Sequence, residues 1–218
     1  MLQIPCPGKD TEGLGQPSDS IQNPTDERRE PAEERLEKMC GAVRTLLECM
    51  GEDPHREGLR DTPSRYAKAL LFFTKGYRVD IDSIINGAVC CEGHDEMIMV
   101  KDIDIHSLCE HHLIPFTGKM HIGYVPSGAV IGLSKLPRIA EIASRRLQIQ
   151  ERLTKDVARM VMDVLQPQGV AVVMEASHLC MEMRGVEKKG STTVTSCVLG
   201  CFKERDVYNE FLRLLGIN

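Results

Sequence analysis

Apolar side chains recur at intervals of three and four residues in several parts of the chain, which is the spacing of amphipathic helices. The second of these parts opens with Thr62 and Pro63, so we expect Thr62 as the N-cap and Pro63 at the first helical position. The helices are predicted over residues 33–50, 62–76, 134–143, 151–166 and 205–215.

Shorter runs, in which apolar residues alternate with polar ones or follow one another, are typical of strands. These runs predict strands over residues 97–105, 119–125, 129–133, 170–183 and 191–199. A helix pair followed by strands, two helices, more strands and a last helix indicates an α+β protein with a mainly antiparallel sheet.

The first 32 residues have a different character from the rest of the chain. They hold five of the eleven prolines and show no apolar periodicity. Such a segment cannot bury enough apolar surface to fold alone. We therefore predict a disordered tail over residues 1–32 and one folded domain over residues 33–218.

Charge and cysteine usage narrow the classes of function. The 218 residues include 27 Lys and Arg against 32 Asp and Glu, a formal net charge of −5, whereas a general nucleic-acid binder is strongly basic. Nine cysteines without a compact framework spacing predict reduced thiols in a cytoplasmic protein, with the nucleus left open as a further location. We expect neither a signal peptide nor a membrane-spanning segment.

Two segments pair cysteine with histidine and suggest a metal centre. Cys109 and His112 have the C-x-x-H spacing of two zinc ligands, and strand alternation would place His178 and Cys180 on one side of a strand. Three protein ligands would leave a position for water, as in catalytic zinc sites, with His111 and His178 available for proton transfer. The alternative is that the cysteines are buried apolar residues and the histidines belong to a polar turn.

Positive charge at the start of the third predicted helix suggests an anion site. Lys135 and Arg138 lie where free backbone N–H groups and the helix dipole favour a phosphate. A capped helix with two solvated cations is the alternative. A phosphate site could be completed by Arg184, Arg65 and Lys68.

Gln150 and Glu151 begin the long fourth helix. A carboxylate there can accept two hydrogen bonds from the edge of guanine, which presents an N–H and an amino group side by side. The alternative is a glutamate favoured by the helix dipole. A zinc deaminase is excluded, because its signature needs P-C-x-x-C and residues 109–112 read CEHH.

Four segments in this order closely resemble the GTP cyclohydrolase I family. They are residues 109–112 (CEHH), 131–135 (IGLSK), 148–154 (QIQERLT) and 178–180 (HLC). The likeness covers roughly residues 35–218, and residues 72–77 (FFTKGY) resemble the animal form. It divides the domain into N-terminal helices over residues 33–76 and a catalytic part over residues 95–218.

The resemblance implies a zinc-dependent conversion of GTP to 7,8-dihydroneopterin triphosphate and formate, the first step of tetrahydrobiopterin biosynthesis. Carried over by position, the zinc ligands would be Cys109, His112 and Cys180. His178 would deliver a proton to the imidazole ring nitrogen, and His111, with the Ser134 hydroxyl, would serve the later transfers at the ribose. Gln150 and Glu151 would hold the guanine edge, and the triphosphate would be held by Lys135, Arg138, Arg184, Arg65 and Lys68.

The resemblance also implies the tunnelling fold, in which antiparallel sheets with helices packed on one side form a barrel shared by the subunits. Ten subunits would form two stacked pentamers with sites at subunit boundaries, and animal members bind a feedback regulatory protein. A non-catalytic zinc-stabilised binding protein is the competing hypothesis. A pterin enzyme with three histidine ligands is contradicted by Cys109 and Cys180.

Overall fold

The computed structural model describes residues 31–216, so the predicted tail up to residue 30 lies outside it. Helices α1 (Ala32–Cys49) and α2 (Thr62–Phe73) pack against each other as the predicted N-terminal pair. A 3-10 turn (Lys75–Tyr77) and the short helix α3 (Ile81–Ile85) lead from this pair to the first strand. Asp61 occupies the N-cap of α2 and no side chain caps the helix, so the expected Thr62 cap is wrong.

A five-stranded sheet forms the centre of the molecule. The strands are β1 (Val89–Cys91), β2 (Ile98–Cys109), β3 (Pro115–Val125), β4 (Ala129–Ile131), β5 (Leu147–Gln148), β6 (Gly169–His178) and β7 (Thr193–Gly200). The order in the main sheet is β5-β2-β3-β6-β7, and every pair is antiparallel except β2 with the two-residue β5. Strands β1 and β4 form a separate ladder.

Helices cover the two faces of the sheet unequally. Helices α4 (Lys135–Ser144) and α5 (Gln150–Leu165) bury one face, in a core that includes Phe116, Met120 and Tyr124. Helix α7 (Arg205–Leu215) packs Phe211 against the opposite face. Gly123 makes room for it, because a Cβ there would lie 2.8 Å from the Phe211 ring. The predicted α+β class with an antiparallel sheet is confirmed, and α7 adds a helix on the second face.

The strand predicted over residues 170–183 is wrong in its second half. Strand β6 ends at His178, which pairs with Phe116 next to the first residue of β3, so the chain beyond it has no partner strand. Residues Leu179–Glu182 form the one-turn helix α6 instead. The apolar side chains of Leu179 and Met183, which suggested alternation, are exposed.

Seven cysteines of the described residues carry free thiols. Free thiols are present at Cys40, Cys49, Cys90, Cys109, Cys180, Cys197 and Cys201. Within residues 31–216 no helix combines the length and apolar character that a membrane span requires.

Candidate active site

The turn between β2 and β3 carries the first half of the site. Cys109 ends β2 with its side chain buried, and His111 and His112 follow in the exposed turn. The Leu113 N–H donates to the Cys109 carbonyl oxygen at 2.8 Å, and Leu113 adopts a positive φ of 55°. The tight turn thus places a buried thiol and two exposed imidazoles within four residues.

Helix α6 brings the third residue of the cluster to this turn. The Sγ atoms of Cys109 and Cys180 and a ring nitrogen of His112 all lie within 4.8 Å of one another. Cys180 lies in the helical turn after β6 and not on a strand, so strand alternation is not what brings it to the site. The predicted grouping of these three residues is confirmed.

The donor set of this cluster fits zinc. Two thiolates and an imidazole are ligands that zinc prefers, and three of them leave one position for water. Burial, together with the neighbouring Cys109 thiol, raises the pKa of Cys180. Two adjacent thiolates therefore need a compensating positive charge, which a divalent cation supplies.

His178 lies beside the cluster and is held on two sides. Its ring stacks on Phe116, with centroids 4.6 Å apart and planes 10° from parallel. Its Nε2 lies 2.8 Å from Oε1 of Gln150. Burial lowers the pKa of His178, whereas the Glu151 carboxylate acts in the opposite direction. The position of the ring is thus fixed by packing and by a hydrogen bond.

Three further predicted residues surround the same cluster. The Arg184 guanidinium donates to Nε2 of His112 at 2.8 Å. The His111 side chain is 64% exposed, with its Nε2 3.9 Å from a carboxylate oxygen of Glu110. Glu151 is exposed in the first turn of α5, near His178. One end of the sheet therefore gathers a metal centre, imidazoles, a carboxylate and a guanidinium.

The residues at the start of α4 lie away from this group. Ser107, two residues before Cys109, donates from its hydroxyl to the carbonyl oxygen of Ser144 at the far end of α4 at 2.7 Å. Ser134, at the N-cap, precedes Ser144 by ten residues, or about 15 Å of helix. Lys135 donates from its ammonium to the Ile84 carbonyl oxygen at 2.7 Å. Within one chain Ser134, Lys135 and Arg138 thus form a second group, separate from the metal cluster.

Arg65 and Lys68 also belong to another part of the molecule. Both are exposed on α2, whose main packing partner is α1. Arg65 forms an ion pair with Asp61 one turn earlier, at 3.1 Å. Within the described residues, no hydrogen bond or ion pair joins either cation to the metal cluster.

One ion pair that the sequence did not reveal ties the metal-binding turn to α5. The Arg152 guanidinium pairs with the Glu110 carboxylate and also donates to Oε1 of Gln148 and to the Leu147 carbonyl oxygen. The hydrogen bond from Arg152 holds the pKa of Glu110 below its usual value. Both residues lie in the quoted motifs, but nothing in the spacing shows that they meet across 42 positions.

Comparison with known proteins decides the family. The family model described as GTP cyclohydrolase I matches residues 39–216. The chain belongs to the GTP cyclohydrolase I family. Membership confirms the predicted enzyme class, the conversion of GTP to dihydroneopterin triphosphate, and zinc as the metal that fits the Cys109, His112 and Cys180 cluster.

Individual relatives of the GTP cyclohydrolase I family are similar over most of their length. GTP cyclohydrolase 1 of Neurospora crassa is 64% identical, over 100% of this chain and 70% of that relative. GTP cyclohydrolase 1 of Saccharomyces cerevisiae is 56% identical, over 96% of this chain and 87% of the relative. The Rattus norvegicus protein of the same name is 52% identical, over 92% of this chain and 83% of that relative. The Neurospora relative is thus more similar to this chain than the rat one.

Proposed function

We propose that the metal cluster and His178 form the centre at which the imidazole ring of guanine is opened and formate is lost. The observation that carries this proposal is the convergence of Cys109, His112 and Cys180 within 4.8 Å, with His178 two positions from a ligand. Zinc bound there lowers the pKa of coordinated water and so supplies a nucleophile near neutral pH. Cys109, His112 and Cys180 would hold the metal, and three protein ligands would leave a coordination position for water.

The two free histidines have different surroundings and different proposed tasks. His178, half-buried and stacked on Phe116, delivers the proton to the imidazole ring nitrogen. His111 is exposed in the turn and serves the later transfers as the ribose opens. The Ser134 hydroxyl assists these later steps.

Glu151 is proposed to recognise guanine. Its carboxylate is exposed at the start of α5, on the side of His178, where it can accept from the N–H and amino group of the purine edge. Gln150 was predicted to share this task, but its side chain is buried and hydrogen-bonded inside the chain. Direct recognition is therefore assigned to Glu151.

Replacing Glu151 with alanine is expected to raise KM for GTP roughly 10- to 100-fold, because a charge-assisted hydrogen bond to the base is lost. Zinc content should not change, and Asp163→Ala, an exposed carboxylate on the same helix, is the matched control. Steady-state kinetics with GTP measure the effect. An unchanged KM, or equal affinity of the unmutated chain for GTP and ATP, would remove Glu151 from recognition.

The triphosphate is proposed to bind across a subunit boundary. Arg184 lies at the metal cluster, whereas the other proposed contacts, Lys135, Arg138, Arg65 and Lys68, lie elsewhere in the chain. A site can be completed by a neighbouring copy when a ring of subunits repeats the same interface. We therefore propose a homo-oligomer, a decamer of two pentamers, in which one subunit supplies the metal centre and another supplies Ser134 and the α4 cations.

Complementation between two inactive variants tests the shared site. Cys180→Ser damages the metal half and Arg138→Ala the phosphate half, so mixed oligomers made by co-expression should contain some intact sites. Random mixing should restore roughly a quarter of the unmutated turnover. Cys180→Ser mixed with Cys109→Ser, which damage the same half, should stay inactive. Mixed oligomers of the first pair that show no recovery would contradict the shared site.

The remaining proposals concern location, organisation and regulation. We propose a cytoplasmic protein, consistent with free thiols such as Cys40 and Cys49. The domain is proposed to span residues 33–218, in line with the family match over residues 39–216. The animal form is proposed from the likeness of residues 72–77. A feedback regulatory protein is proposed because animal members of the family bind one, and no short motif marks its site.

A further inference from the structure

Gln150 is a buried amide with an unusually complete set of partners. Its side chain is 2% exposed. Its Nε2 lies 3.1 Å from the Met174 carbonyl oxygen, 2.8 Å from the Thr193 carbonyl oxygen and 3.1 Å from Oγ1 of Thr195. The amide group thus joins α5 to β6 and β7.

These partners determine which way the amide points. Backbone carbonyl oxygens can only accept hydrogen bonds, so the side chain must present its NH2 group to Met174 and Thr193. The flipped amide would bring Oε1 against two carbonyl oxygens. The oxygen of Gln150 therefore faces Nε2 of His178, at 2.8 Å.

The orientation of Gln150 in turn fixes the histidine. An amide oxygen accepts and cannot donate, so Nε2 of His178 must carry a hydrogen to form this bond. Stacking on Phe116 fixes the plane of the ring at the same time. With its plane and its Nε2 both constrained, the ring has Nδ1 as its remaining nitrogen.

We infer that Gln150 is a positioning residue for His178. It keeps a hydrogen on Nε2, so the proton given to the substrate leaves Nδ1 of the doubly protonated ring and the Nε2–H tautomer remains. This inference rests on the proposed catalytic role of His178. Gln150 then acts on the reaction through His178 and not by contact with guanine, since its amide is buried and both its NH2 group and its oxygen already have partners inside the chain. A histidine held in the wrong tautomer loses most of its catalytic effect even when its position is kept.

The tautomer can be observed directly in the zinc-loaded, full-length protein. Histidine labelled with ¹⁵N gives separate nitrogen signals for the two ring positions, and the signals of His178 are those that disappear in His178→Ala. At alkaline pH the unmutated protein should show a protonated Nε2 and an unprotonated Nδ1. An Nδ1–H tautomer would overturn the inference.

Kinetics of a matched pair of variants give the second measurement. Gln150→Met keeps the length of the side chain but removes its hydrogen bonds, and should lower kcat roughly 10- to 100-fold. KM for GTP should stay within about threefold, because the residue does not touch substrate. Gln168→Met, the same change at an exposed glutamine bonded to the Pro126 carbonyl oxygen, should leave both constants unchanged.

Different results would contradict the positioning role of Gln150 and the catalytic role of His178. A raised KM with unchanged kcat in Gln150→Met would mean that Gln150 contacts the base after all. If His178→Ala itself keeps normal turnover, the catalytic role of His178 fails. The nitrogen signals test the tautomer of His178, and an unchanged kcat in Gln150→Met would contradict the positioning role.

Discussion

Cys180→Ser is expected to abolish bound zinc and to lower turnover of GTP by about 10³-fold or more, since metal-assisted activation of water contributes several kcal/mol. Cys180 is one of three residues whose ligand atoms converge within 4.8 Å, and a serine hydroxyl is a poor substitute for a thiolate. The measurement is metal analysis of the purified variant together with formate release. Cys109→Ser should behave in the same way.

A matched control separates loss of the metal from a general effect of removing a thiol. Cys49→Ser changes an exposed free thiol on α1 and should keep both zinc and turnover. Full zinc content in Cys180→Ser would contradict the assignment of Cys180 as a zinc ligand. Lost zinc with retained turnover would mean that the reaction does not depend on this centre.

His178→Ala should keep zinc and GTP binding but lose ring opening, by roughly 10²- to 10⁴-fold in kcat, the range for a proton transfer by a positioned side chain. The ring lies beside the cluster but is bonded to Gln150, so its removal leaves the three ligands in place. Single-turnover formate release and equilibrium binding of GTP measure the two parts separately.

Another histidine provides the comparison for this variant. His55 lies between α1 and α2, where its backbone N–H donates to the Asp53 carboxylate. His55→Ala should leave formate release unchanged. Unchanged turnover in His178→Ala would remove that residue from the mechanism, and loss of zinc would instead make it a structural support of the centre.

Elements with a long amphipathic pattern could be predicted closely from the sequence. The last helix was predicted over residues 205–215 and is observed as Arg205–Leu215, because its apolar side chains share one face and Gly216 ends it in the left-handed conformation. Elements of two to five residues, such as β5 and α3, are too short to show any period. The ends of strands depend on their partner strands, which the sequence does not show. Strand β6, for example, ends at His178, where its pairing with β3 ends.

The same division holds for the site. The grouping of Cys109, His112 and Cys180 could be predicted, since the residue types and spacings within each segment are those of zinc ligands. The ion pair between Glu110 and Arg152 joins residues 42 positions apart, which no local pattern shows. The sequence likewise could not reveal that the cations at the start of α4 lie away from the metal, because that depends on the direction in which α4 crosses the sheet.

The most direct test is incubation of the zinc-analysed protein with GTP, following formate by a coupled assay and dihydroneopterin triphosphate by fluorescence after oxidation. We expect both products in equal yield, abolished by a chelator and absent with ATP. Bound zinc without formate would contradict the enzyme and favour a zinc-stabilised binding protein.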